Sequence, residues 1–167
     1  FFIDQKKNLS RHPLAELVRS VIAVISHRFS YEAMVSYLRN PLVPVEREAV
    51  DEIENYIVAT GMKGKKAWET EWTRVYRGLP KERLKKLNEI REAILEPLRI
   101  LMDAKPEEGK WTIKERSKAL FYFMDAIQIE KQLEEMARQF GEIGEFHRQK
   151  EYEQTYQKVL DLLDQMV

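Results

Sequence analysis

Apolar residues recur at helical spacing in almost every long segment of this chain, and no alternation of period two lasts more than a few residues. A chain patterned this way buries stripes along helices rather than one face of a sheet, so the expected fold is all-α, an irregular helical bundle. Leu14, Leu17, Val18, Val21, Ile22 and Ile25 share one face of a helix predicted from Pro13 to Arg28, with proline suited to its first turn. Ser30 is an N-cap for a second helix. Phe29 and Met34 flank it as a hydrophobic staple, Tyr37 and Leu38 continue its face, and it stops near Asn40-Pro41.

Further along, Pro41 to Val45 reads as a turn, and Val50, Ile53 and Ile57 mark a third helix ending at Gly61. A long helix from Lys81 to Ala104 carries Leu84, Leu87, Ile90, Ile94, Leu98 and Leu101, with Pro97 expected to kink it. Thr112 and Glu115 have capping-box spacing, and the helix they open turns Leu120, Phe123 and Ile127 inward. The next break is expected at Gly141 to Gly144, followed by a last helix from about Glu145 that buries Phe146, Tyr156, Val159, Leu160 and Leu163. One helical domain over 1–167 is expected: a helical hairpin region over 11–60, a Gly/Trp/Lys loop over 61–80 and long helices over 81–167. Phe1 to Asp4 reads as a short strand. The apolar start without an initiator Met makes the chain look like an internal fragment.

Several functions are excluded at this level. The chain has no Cys, so it holds no disulfide, Cys zinc site, Cys-ligated iron–sulfur cluster or catalytic thiol, which is compatible with a reducing, cytoplasmic setting. The apolar run Val21 to Ile25 is far short of a membrane span. Gly61-Met-Lys-Gly64-Lys65-Lys66 lacks the spacing and the Ser or Thr of a phosphate-binding loop. No Glu stands three residues before His12, His27 or His147, which removes the paired motif of a di-iron bundle. His12 reads as a helix-entry residue, and His27 and His147 as solvated or capping residues. The carboxylates from Glu46 to Glu54 read as a solvated helix face with no local His or Arg converging on them. No catalytic, metal or cofactor-binding residue is identified.

Charge supplies the remaining signal. Formal charge is zero overall, with 28 Lys and Arg against 28 Asp and Glu, but residues 61–118 hold 16 basic and 10 acidic side chains. Within them, Lys63, Lys65 and Lys66 have the chemistry of phosphate contact, and Trp68 and Trp72 that of base stacking. These five are the candidate contacts to DNA or to a partner protein. The other reading is a solvated lysine loop whose tryptophans anchor it to the core.

Phe2-Ile3-Asp4, His12-Pro13-Leu14-Ala15-Glu16-Leu17-Val18-Arg19-Ser20, Tyr31-Glu32-Ala33-Met34 and Tyr37-Leu38-Arg39 resemble the AddB family, the B subunits of bacterial AddAB helicase-nucleases. Glu54-Asn55-Tyr56, Ala59, Gly61, Lys63-Gly64 and Trp68 continue the resemblance, which rests on about the first 70 residues. It implies a part of an ATP-dependent helicase/exonuclease subunit that resects DNA double-strand breaks for recombinational repair. An AddA-like partner subunit and double-stranded DNA ends are the implied partners. The order of strand, Glu16-Leu17 helix and later Tyr37-Leu38-Arg39 also resembles UvrD-like helicases where the chain leaves a RecA-like domain, near residues 1–10 here, for the helical 2B insertion. On that resemblance this segment is a non-catalytic, 2B-like accessory domain. ATP, Mg and an iron–sulfur cluster are then held elsewhere in the parent complex. The alternative is a free-standing helical protein-interaction module.

Overall fold

In a computed structural model, residues 11–165 are described, and among them are eight α-helices and no strand. The fold class is all-α. The strand expected at Phe1 to Asp4 lies outside the described residues.

Local chemistry explains most helix boundaries. Helix α1 (Pro13–Ser26) starts where His12 Nδ1 accepts the Leu14 N–H at 3.2 Å, an N-cap made by an imidazole. It ends two residues before Arg28. Arg28 and Phe29 both have positive φ, +49° and +61°, and the Phe29 N–H closes back on the Val24 carbonyl at 2.8 Å. Helix α2 (Tyr31–Leu38) has the predicted cap, with Ser30 Oγ accepting the Ala33 N–H, and both staple residues, Phe29 and Met34, are buried. Helix α3 (Arg47–Thr60) stops at Gly61, whose φ of +66° is left-handed backbone that glycine adopts without a Cβ penalty.

Helix α4 (Lys65–Glu69) is a short turn of helix inside the Gly/Trp/Lys stretch, and α5 (Lys81–Ala104) runs without interruption through Pro97. Helix α6 (Ile113–Ala126) opens with both halves of the Thr112–Glu115 capping box. Helices α7 (Ile129–Glu142) and α8 (Phe146–Gln165) follow.

Three expectations need correction. The helix opened by Thr112 does not run to Gly141: it breaks at Gln128, which has φ +55°, and Gln132 Nε2 caps the freed Ile127 carbonyl at 2.7 Å. A left-handed glutamine carries no warning in sequence, because the usual markers are Gly and Asn. Phe146, expected inside, is 69% exposed at the turn that also exposes Ile143. In α1 the deepest residues are Leu14, Leu17, Val21 and Val24, with Val18 and Ile22 only half-buried.

The chain divides into two compact units. One contains Leu17–Arg99; the other takes the residues up to Glu16 together with those from Ile100 on. In the latter, α7 packs along α8, and α6 packs against both. Tyr152 of α8 lies between His12 and Phe140, with ring centroids 4.5 and 5.0 Å away. A Cβ on Gly141 would come within 2.7 Å of the Gln149 side chain, so the hairpin approach leaves room only for glycine unless that side chain moves.

Candidate functional site

The stretch 61–80 lacks hydrophobic periodicity, yet its middle is held firmly within the Leu17–Arg99 unit. Trp68 and Trp72 are each 1% exposed and meet edge to face, with centroids 5.2 Å apart. Tyr56 of α3 stacks on Trp72 at 4.8 Å, its ring nearly parallel, and its hydroxyl donates to the Arg74 carbonyl at 2.9 Å. Burial pushes the Tyr56 phenol up from its ordinary pKa, so it stays a neutral donor. The Trp72 indole N–H is used as well, donating to the Ala67 carbonyl.

Helix α5 supplies the polar half of the anchor. Asn88 accepts the Trp72 N–H at 2.8 Å and donates to the Trp72 carbonyl at 2.9 Å, pairing with both backbone groups of that residue as a neighbouring strand would. Arg91, only 6% exposed, donates to the Trp68 carbonyl at 2.6 Å and to Asn88 Oδ1 at 3.1 Å. Nothing in the sequence marks Asn88 or Arg91, which sit among the charged residues of a long amphipathic helix. The stacking expected of Trp68 and Trp72 is therefore corrected: both rings are consumed by the core and offer no face to a base. Their anchoring role is the one the structure shows.

Lys63, Lys65 and Lys66 are all exposed. Lys65 lies 3.8 Å from Glu69 across one helical turn, and among the described residues neither Lys63 nor Lys66 has an ion-pair partner. The structure adds a cation that sequence distance hides. The Gly64 N–H donates to the Phe29 carbonyl and the Lys65 N–H to the Arg28 carbonyl, each at 3.1 Å. The α1–α2 turn is thereby tied to the lysine segment, with exposed Arg28 beside Lys65.

The other candidates sort differently. Contrary to the expectation from local sequence, arginines do reach the α3 carboxylates: Arg39 donates to Glu54 at 2.7 Å, Tyr31 donates to the same carboxylate at 3.0 Å, and Arg83 pairs with Glu52. These arginines come from other elements, so no scan of residues 46–54 reveals them. His27 and His147 are exposed, while His12 is buried, with its imidazole pushed down to about 4 by loss of solvent. Among the described residues no three His, Asp or Glu side chains gather as a metal-binding group, and no helix is long and apolar enough to cross a membrane. In the other unit, α6 and α8 border an open groove of about 340 Å³ lined by Lys114, Lys118, Phe121, Tyr122, Asp161 and Asp164, among others.

No protein-family model matches the chain. It is 36% identical over 167 residues to the B subunit of the ATP-dependent helicase/deoxyribonuclease of Clostridium novyi (strain NT), a match covering 100% of this chain and 14% of that protein. It is 35% identical over 169 residues to the corresponding subunit from Lachnoclostridium phytofermentans, covering 99% of this chain and 15% of the relative. The Clostridioides difficile (strain 630) counterpart is 32% identical over 174 residues, again covering 99% of this chain and 15% of its own length. The similarity therefore extends well past the first 70 residues, and the chain spans about 14–15% of the length of these relatives.

Proposed function

Because the chain belongs over its whole length to the AddB family, the B subunits of ATP-dependent helicase/deoxyribonucleases, we propose that it is a non-catalytic helical segment of such a subunit, the counterpart of the 2B-like insertion of UvrD-like helicases. Its task on this reading is to present a rigid cationic surface to DNA while the complex processes double-strand ends for repair. The observation that carries it is the mounting of the lysine segment. Two buried tryptophans, Asn88 and Arg91 hold the backbone that displays Lys63, Lys65 and Lys66, so only their side chains, and not the segment itself, would have to be ordered on binding. An AddA-like subunit and DNA ends are the partners, and the cytoplasm is the setting. With no Cys and no phosphate-binding loop, the chain supplies neither the thiolates of an iron–sulfur cluster nor a P-loop for ATP, and on this reading both are held elsewhere in the parent complex.

A salt titration of duplex DNA binding tests the reading. The Lys63, Lys65, Lys66 to Ala triple variant should bind more weakly than wild type and with a shallower dependence on salt, because each lost phosphate contact removes about 0.9 from the slope of log K against log salt. Coincident curves would exclude the lysine segment as a DNA contact. One observation favours a second reading, a helical protein-interaction module: Phe121 and Tyr122 are 42% and 50% exposed beside the α6–α8 groove, which suits an apolar side chain of a partner. In that case a Tyr122→Glu variant loses its hold on the partner and the lysine triple variant does not.

A further inference from the structure

We infer that Arg28 belongs to the same cationic surface as Lys63, Lys65 and Lys66, and that the composite of the α1–α2 turn and the lysine segment takes the phosphate backbone of duplex nucleic acid in preference to a single strand. The inference rests on the reading of the lysines as a nucleic-acid contact and adds a residue and a ligand form to it.

Arg28 is held where it is by its backbone. Its left-handed φ of +49°, followed by Phe29 at +61°, turns both carbonyls toward the neighbouring segment, where they accept from Lys65 and Gly64. Phe29 is 1% exposed and anchors the turn from beneath, leaving Arg28 at the surface. Left-handed backbone is unfavourable for a residue with a Cβ, and here two such residues stand in succession. The strain is offset by the two hydrogen bonds and by the buried ring. Gly64 accommodates the junction from its side with φ +87°, and a Cβ built on it would sit 3.9 Å from the Arg28 carbonyl. Among the described residues Arg28 has no ion-pair partner, in common with Lys63 and Lys66. Glu69, beside Lys65, is the carboxylate paired with this group of cations.

The preference for duplex follows from what this surface lacks among the described residues. Single-strand binders gain much of their affinity from exposed aromatic platforms on which successive bases stack. Trp68 and Trp72 are buried, and Tyr76 is half-buried with its ring against Tyr56. With stacking removed, attraction depends on charge density, and a duplex presents one phosphate charge per about 1.7 Å of axis.

Titrating salt against duplex and single-stranded DNA of matched length tests both parts, using wild type, Arg28→Gln, Arg28→Lys and the lysine triple variant. Arg28→Gln should flatten the duplex slope by about 0.9 and Arg28→Lys should restore it. If the triple variant loses binding while Arg28→Gln follows wild type, the Arg28 assignment is wrong and the lysine contact stands. If the triple variant follows wild type, the lysine reading itself fails. Tighter binding of the single strand at every salt concentration would overturn the duplex preference. Matching helical circular dichroism across the variants keeps a folding defect from counting as support.

Discussion

Asn88 pairs with both backbone polar groups of Trp72, accepting its N–H at 2.8 Å and donating to its carbonyl at 2.9 Å. The same Oδ1 also accepts from Arg91, whose guanidinium reaches the Trp68 carbonyl. One amide on α5 thus links both tryptophans of a segment that makes no long helix of its own.

Removing that amide should loosen the segment. Asn88→Ala leaves the Trp72 N–H and carbonyl without their partner, a cost of about 1–3 kcal/mol for half-buried groups. Trp72→Ala should cost about 3–5 kcal/mol, because it removes a buried ring that touches Tyr56 and Trp68. Urea unfolding monitored by circular dichroism measures both, and an Asn88→Ala variant as stable as wild type would show that the pairing contributes nothing.

Burial along α1 predicts an unequal response at two residues that look alike in sequence. Leu17 is 0% exposed, so Leu17→Ala should destabilise by about 2–5 kcal/mol. Ile22 is half-buried, and Ile22→Ala should fall below that range. Equal losses in the same unfolding assay would argue against the observed rotation of the helix.

His12 makes stability depend on pH. Burial holds its folded-state pKa near 4, below the ordinary 6.5, so the neutral imidazole is favoured in the folded state. Between these values the unfolded chain binds the proton first. The contribution is therefore complete above pH 6.5 and is lost as pH falls toward 4. His12→Asn retains an acceptor for the Leu14 N–H and cannot titrate; its stability should fall less steeply than wild type between pH 7 and pH 4.5. Parallel declines in chemical unfolding would exclude His12 as the source.

Gly61→Ala should destabilise by about 1–2 kcal/mol through backbone strain alone. The position has φ +66° and no neighbouring atom within 4 Å of a built Cβ, so there is no steric clash to confuse the result. Thermal unfolding of Gly61→Ala beside Gly61→Asn checks this, with the asparagine variant expected between alanine and wild type.

The sequence by itself determined the helical class and most helix ends, because both are local. Ser30, Gly61 and the Thr112–Glu115 pair act within three or four residues of the groups they cap, and the apolar stripe of α1 needs only the helical period. It also carried enough residues in fixed spacing to reveal the family. Tertiary structure decided what the tryptophans and cations do. Whether the two tryptophans stack on bases or fill a core depends on Arg91, which holds Trp68, and on Asn88 and Tyr56, which hold Trp72, all of them about 20 residues away. Arg28 joins Lys65 through a carbonyl across an intervening pair of helices, and Arg39 reaches Glu54 from α2's end. Hydrogen bonds and ring contacts of this kind act over a few ångströms in space irrespective of chain separation, so no spacing rule records them. The break at Gln128 belongs with them, since its left-handed backbone is held by surrounding contacts rather than by the preference of glutamine.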